Sequence, residues 1–325
     1  MSRLRWGLLG TARINRLIIP AIRASARSEV TAVASRTLDR AQAYAAEWKI
    51  PRAIAAYQTL VDDPEVDVIY IGLPNSLHVE WTVRALEGGK HVLCEKPLGL
   101  SVEDVDRIAA TAARTSHVAA EAFMYRHHPL THAVEATVRS GTLGAIRGYK
   151  GAFTFPLTRE GDVRFDRALG GGSLWDVGCY PVSYVCLLAA QAPVEVFAWQ
   201  QSSASGVDLA LAGMMRFADG AIAQFDCGFL GPFRAAMEVI GADASLQIER
   251  PFKTDELSRV VLTRGDTTRT LPFTSEAPFA GEIADMEAAA LDGRPPRIAL
   301  TESRRTVATI CALYESARTR RPAEM

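Results

Sequence analysis

The first third of the chain alternates short, nearly all-apolar runs with segments of helical periodicity, and this alternation restricts the fold more than any other feature. Leu4 to Leu9 is followed by Leu17, Ile18, Ala21 and Ile22 at helical spacing, with a kink expected at Pro20, which lacks an amide hydrogen. Val30 to Ala34 precedes the helical segment "TLDRAQAYAAEWK". "VDVIYIGLP" reads as a strand covered on both faces. It leads into "SLHVEWTVRALEGG", where Ser76 is the expected N-cap and Gly88–Gly89 the stop. "HVLCEKP", "SVEDVDRIAATAART" with Ser101 capping, and "HVAAEAF" complete the series. Such units predict a doubly wound parallel sheet that binds ligands beyond the carboxyl ends of its strands.

After about Phe123 the texture changes. A helical stretch near residues 129 to 140 is followed by alternating runs, "GYKGAFTF", "VEVFAWQQ" and "SLQIER" among them, and "MMRFADGAIAQF" reads as a hairpin turning at Asp219 and Gly220. A mainly antiparallel sheet with a few helices is expected here. The final helix, "TESRRTVATICALYESAR", starts at Thr301 and Glu302. With 325 residues the chain exceeds the usual size of one core. The expected α/β organisation is therefore a Rossmann-type domain over residues 1–123 and a second, α+β domain over 124–325.

A formal net charge of −1 gives no global field to attract nucleic acid or an anionic membrane. Cys94, Cys179, Cys186, Cys227 and Cys311 are odd in number and widely spaced, which argues against a disulfide framework and fits a reducing cytoplasm. No apolar run is long enough to cross a bilayer, and the short one at the start lacks the form of a signal peptide. A small-molecule partner is expected.

The turn after the first strand departs from G-x-G-x-x-G. Gly10, Thr11, Ala12, Arg13, Ile14 and Asn15 keep only the first glycine. Gly10 makes the sharp turn and Ala12 is the smallest substitute where phosphate must approach backbone, whereas Asn15 implies looser helix packing. At the end of the second strand, Ser35 and Arg36 stand where an NAD site would carry an acid, and Arg40 follows one helical turn later. A guanidinium suits a 2′-phosphate, so NADP is favoured over NAD, which stays possible.

Four further segments, "VIYIGLPNSLH", "GKHVLCEKPLGLS", "EAFMYRHHP" and "GGGSLWDVGCYPVSYV", make the chain resemble the glucose-fructose oxidoreductase and inositol dehydrogenase family (Gfo/Idh/MocA). The likeness extends to the late "IERPF" and "ALYESAR" segments and is strongest toward the NADP-linked branch of D-xylose dehydrogenases, dihydrodiol dehydrogenases and anhydrofructose reductases. It implies an oxidoreductase acting on a sugar or polyol, such as an aldose at its anomeric carbon. Its alternatives are a trans-dihydrodiol dehydrogenase, a keto-sugar reductase and a non-catalytic NADP-binding regulator. It also implies that the second domain's open sheet walls the active site and joins copies into a homodimer or homotetramer. By the same resemblance Leu73, Pro74, Asn75 and His78 line the cofactor cleft, Glu95 and Lys96 sit beside the nicotinamide, and the Lys96–Pro97 bond is cis. Tyr180 departs from the histidine of inositol dehydrogenase relatives.

Hydride transfer at a carbinol needs a group that takes or gives the hydroxyl proton. Lysine and tyrosine, with ordinary pKa values of about 10.4 and 10, are too basic alone at neutral pH, so Lys96 and Tyr180 are read as a pair in which either is the direct acceptor. Asp176, four residues before Tyr180, shares a helical face with it and is read as catalytic, although Ser173 and Asp176 also form an S-x-x-D capping pattern. Arg126, Phe155, Arg164 and Trp175 join Lys96, Asp176 and Tyr180 as candidates for holding the sugar. His128 and His132 have helical ligand spacing but lack the glutamate of H-E-x-x-H, so no metal is expected and His128 is read as a structural or cleft-edge residue.

Overall fold

The computed structural model describes residues 3–325. The chain forms two compact units: residues up to His127 together with Phe279–Ser303, and His128–Pro278 together with Arg304–Met325.

In the first unit, strands and helices alternate as β1 (Leu4–Leu9), α1 (Asn15–Ala24), β2 (Ser28–Ser35), α2 (Leu38–Trp48), β3 (Arg52–Ala55), α3 (Tyr57–Val61), β4 (Val68–Ile71), α4 (His78–Glu87), β5 (His91–Glu95), α5 (Val102–Thr115) and β6 (Ala119–Ala122). The sheet is parallel throughout, in the order β3-β2-β1-β4-β5-β6. Its order reverses at β1 and β4, so the turns after these strands flank the crevice where such sheets take ligands. All four residues of β4 have zero exposure. Trp6, Leu8, Ile18, Ile22 and Tyr70 share its core.

One local expectation is revised, at Ser76, and two short elements appear that are not expected from the sequence. α1 contains Pro20 at an exposed position, with Ile18, Ile19 and Ile22 buried on its other face. Ser76 does not cap α4: the Leu77 amide donates to the Pro74 carbonyl at 2.9 Å, closing a 3-10 turn over Asn75–Leu77 that contains Ser76. β3 and α3 carried no legible signal, since β3 is four residues long with no buried face. Ser101 does cap α5, in a reciprocal capping box with Asp104.

In the second unit, α6 (Pro129–Arg139) and α7 (Cys179–Ala189) accompany β7 (Ile146–Thr154), β8 (Glu195–Ser202), β9 (Asp208–Arg216), β10 (Ile222–Gly228), β11 (Arg234–Gly241), β12 (Ser245–Glu249), β13 (Arg259–Arg264), β14 (Thr267–Thr270) and β15 (Ala323–Glu324). The sheet order is β14-β13-β12-β11-β7-β10-β9-β8-β15, antiparallel except for β7 beside β10. β9 and β10 form the expected hairpin, with Gly220 in the left-handed region. Burial alternates along β9 and β10, and Met214, Ile222 and Trp199 stand exposed.

α8 (Ala280–Asp292) belongs with the first unit, which a single division after residue 123 does not anticipate. Its Ile283 and Met286 are buried in the core cluster of Trp6 and Ile18, so its apolar face is covered by α1 and β1. α9 (Leu300–Thr319) follows. Among the described residues no helix is long and apolar enough to cross a membrane.

Candidate active site

On the first unit the site begins at the turn after β1. Gly10 has φ of +99°, and a Cβ there would stand 2.8 Å from Leu73 Cδ2, so only glycine fits. Asn15 does not loosen the turn. It is buried and its Nδ2 donates to the Gly10 carbonyl at 2.9 Å, fastening the helix start to the loop. The close approach normally supplied by a third glycine comes instead from Gly72 after β4, where a Cβ would lie 3.1 Å from Ala12 Cβ and 3.3 Å from Asn15 Oδ1. Thr11, Ala12, Arg13 and Ile14 all keep accessible surface.

Ser35 is buried at the end of β2, while Arg36 and Arg40 are exposed beyond it. Arg40 Nε donates to Thr11 Oγ1 at 2.8 Å, joining the turn after β1 to the residues beyond β2. Tyr57 at the start of α3 completes this corner: Arg36 and Arg40 both draw its hydroxyl pKa down, against a larger rise from burial. Its ring packs edge-on against Trp81 at 5.2 Å. Sequence reasoning missed Tyr57 because the strand that delivers it is too short to read.

Glu95, Lys96 and Pro97 leave the end of β5 with the Lys96–Pro97 bond cis, as expected. Their segment is held from three directions. Tyr70 Oη donates to Glu95 Oε1 at 2.5 Å, and the Leu98 amide donates to the buried Glu121 carboxylate at 2.9 Å. His78, expected to line the cleft, is fully buried and instead buttresses it, its Nδ1 2.7 Å from the Pro97 carbonyl and its Nε2 2.8 Å from the Leu73 carbonyl. Burial pushes the His78 pKa down and outweighs the two carbonyls that favour its charged form. Lys96 itself is half-buried. Leu73 is buried, while Pro74 and Asn75 keep partial exposure. Arg126 is buried, its Nη2 2.7 Å from Glu302 Oε2 and its carbonyl accepting from Arg297 Nε at 2.6 Å.

On the second unit, Leu174–Gly178 widens into a π-helix that runs directly into α7. Asp176 lies in the widened turn, where bonding is i→i+5, so the ordinary four-residue helical face from Asp176 to Tyr180 is not formed. The capping pattern is not realised either: Ser173 makes no cap bond and donates to the buried Asp208 at 2.6 Å. Asp208 also accepts from the Leu174 amide at 2.7 Å and Tyr314 Oη at 2.7 Å, which fixes the start of the π turn. Asp176 instead meets Arg164, whose Nε donates to Oδ2 at 2.6 Å while Nη1 reaches Asp162 at 3.2 Å. These two carboxylates raise the Arg164 pKa despite its burial.

Tyr180, half-buried at the second position of α7, has its ring centroid 5.2 Å from Phe153 and 5.4 Å from Phe252. Trp175 is buried and packs on Tyr314, and Phe155 packs edge-on against Phe229, so both rings take part in packing. His128 is structural: it caps α6, accepting from the Leu130 amide. Among the described residues no cluster of three or more His, Cys, Asp or Glu side chains is arranged to hold a metal.

Residues 4–123 match the model of an oxidoreductase family with an NAD-binding Rossmann fold, and residues 131–247 match the GFO/IDH/MocA C-terminal domain. The chain is 37% identical to a D-xylose 1-dehydrogenase (NADP(+)) of Haloferax volcanii over 97% of each protein. It is 31% identical to the 3-ketoreductase of Actinomadura kijaniata solved with NADP and TDP-benzene, with a TM-score of 0.91 over 97% of this chain and 98% of that one. That enzyme has also been solved with one tyrosine replaced by phenylalanine and with one lysine replaced by alanine. An aldose-aldose oxidoreductase of Caulobacter crescentus, solved with glycerol, is 25% identical with a TM-score of 0.92 over 99% of this chain and all of that one.

Proposed function

Because the chain belongs to the GFO/IDH/MocA oxidoreductase family, we propose that it moves a hydride between NADP and a carbinol or carbonyl carbon of a sugar or related polyol. The observation that carries this reading is the bracing of the Lys96 segment by Tyr70, His78 and Glu121 at the carboxyl end of the parallel sheet. Such bracing holds a basic side chain in the geometry that proton transfer demands.

The turn at Gly10, the opposing Gly72 and the Arg36–Arg40–Thr11 corner suit a dinucleotide bearing a 2′-phosphate. Gly10, Thr11, Ala12, Arg13 and Ile14 would hold its pyrophosphate, and Ser35, Arg36 and Arg40 its phosphorylated ribose. When bound, the nicotinamide supplies the hydride acceptor or donor. Lys96 and Tyr180 then handle the hydroxyl proton: Tyr180 takes it during oxidation, and the ammonium of Lys96 lowers the phenol's pKa and holds the substrate oxygen. A lysine and a tyrosine are also the residue types replaced in the related 3-ketoreductase. Asp176, oriented by Arg164, binds substrate hydroxyls. The xylose dehydrogenase relative favours oxidation of an aldose at its anomeric carbon, and the exposed face of the nine-stranded sheet is the proposed surface for assembly into homo-oligomers. None of the five cysteines forms a disulfide and four are buried, which suits a cytoplasmic setting.

A panel of aldoses, keto-sugars and trans-dihydrodiols, followed by the absorbance of reduced nicotinamide, tests the reading. Turnover of an aldose with NADP is expected. Tight NADP binding with no turnover on any member would establish the regulator instead. Arg36→Ala is expected to weaken NADP about 10- to 100-fold by loss of a charge-assisted contact, with NAD affinity changing far less.

A further inference from the structure

Two buried glutamates lie five residues apart on α8, and their surroundings differ. Glu287 accepts a hydrogen bond from Ser28 Oγ at 2.5 Å, and Ser28 in turn accepts from Trp6 Nε1 at 2.9 Å. Glu282, in the first turn of the helix, is 1% exposed, and neither of its carboxylate oxygens has a hydrogen-bond donor. The charges that bear on Glu282 are both negative, Glu95 from the end of β5 and Asp285 from its own helix. On β4, Tyr70 feels both Glu95 and Glu282 and donates its hydroxyl to Glu95. Of the basic groups on neighbouring elements, Arg5 of β1 pairs with Asp67, Arg23 of α1 donates to the Trp48 and Lys49 carbonyls, Arg126 pairs with Glu302, and Lys96 directly follows Glu95. His127 stands 3.9 Å from Asp285, whose carboxylate also accepts from the Arg297 amide.

A buried ionised carboxylate with no protein donor and two like charges for neighbours is strongly disfavoured, whereas a protonated carboxyl is favoured, provided that its one hydrogen finds an acceptor. Glu95 is the group outside α8 whose charge bears on Glu282, and it already accepts from Tyr70. We propose that Glu282 is a neutral carboxylic acid that shares its proton with Glu95, and that it is thereby a positioning residue for Lys96. Tyr70 and Glu282 then give Glu95 two donors and the three side chains carry a single negative charge. Because Glu95 and Lys96 are consecutive, fixing one carboxylate fixes the backbone from which the lysine projects. The positioning role rests on the assignment of Lys96 above, but the protonation state does not.

Three measurements on the full-length protein test the inference. The infrared spectrum at pH 7 is expected to contain a protonated-carboxyl stretch that disappears in Glu282→Gln; absence of that band from the wild type would overturn the proposal. Burial of the acid in neutral form holds its pKa above the unfolded value, so its presence weakens the fold progressively as pH rises above about 4.3 toward the raised folded-state value. Thermal midpoints of wild type and Glu282→Gln should therefore converge near pH 4 and diverge as pH rises to 9, with the variant the more stable; a pH-independent difference would contradict the neutral acid. For positioning, Glu282→Gln, which keeps a donor, should retain kcat within about threefold, and Glu282→Met should lose kcat about tenfold or more with the KM for NADP little changed. Equal kcat in both variants would remove the positioning role. If Glu282→Met does not fold, Glu282→Gln decides through its pH profile: its alkaline fall in kcat is expected at higher pH than in wild type, and an unmoved profile refutes positioning. The first two measurements need no turnover, so they keep their meaning if no sugar is a substrate.

Discussion

In the parallel sheet all of β4 is buried, and the candidate groups lie in the turns beyond the strand ends. In the nine-stranded sheet burial alternates along β9, and the candidate groups are carried by a π turn and the first turn of α7. The first arrangement relies on backbone shape: a positive φ at Gly10, a close approach at Gly72 and carbonyls that clasp His78. The second relies on side-chain pairing, with Asp208 fixing the π turn and Arg164 holding Asp176. A site built on backbone geometry leaves few permitted residues at each position, whereas one built on ion pairs tolerates exchange of partners and is correspondingly harder to recognise.

Substitutions can break or sharpen this contrast. The largest expected effect is that of Lys96→Ala, which should lower kcat about 10³-fold, roughly 4 kcal/mol of barrier, while leaving the dissociation constant for NADP nearly unchanged; stopped-flow and titration measurements check both parts. Next is a matched pair of core and surface changes. Ile69→Ala in β4 should cost about 2–5 kcal/mol in urea unfolding, and Met214→Ala on the exposed face of β9 less than about 0.5 kcal/mol, because only the former leaves a cavity. Comparable costs would mean that the exposed face is covered in solution.

Arg164→Met has a smaller expected effect than Lys96→Ala or Ile69→Ala and is the most informative about the second region. The Arg164 side chain is 37% exposed, so loss of its pairs with Asp176 and Asp162 should cost about 1–2 kcal/mol, well below the penalty of a fully buried pair. Its kcat should fall about tenfold as Asp176 loses its orienting donor, with rescue by Arg164→Lys only partial since a single ammonium cannot reproduce the fork. Full activity in Arg164→Met would remove Asp176 from the site.

Much of the first region was legible because its signals are local. A glycine before a helix, an apolar run bounded by turn residues and a proline after Lys96 each constrain the backbone within a few positions, and the elements formed where those signals stand. Ser76 misled because two helical turn types compete there, and the Pro74–Leu77 hydrogen bond selects the tighter one. Asn15 misled for a different reason. Its bond to Gly10 is local, but the close approach of Gly72 reaches it only when β1 and β4 lie side by side. Tyr57, Asp208 and Glu282 carry no motif at all, and each matters through a partner remote in the chain.

The chain by itself determined the alternation of strand and helix, the parallel sheet, the nucleotide-type turn and the segments bearing Lys96 and Tyr180, because each of these is written in neighbouring residues. Only the tertiary structure decided that α8 returns to the first unit and carries Glu282 toward Glu95, that Arg164 rather than a helix end engages Asp176, and that His78 is a buried clasp. The reason is physical: burial and charge pairing arise between residues that folding brings together, and a periodicity in the sequence records that a face will be buried without recording against what.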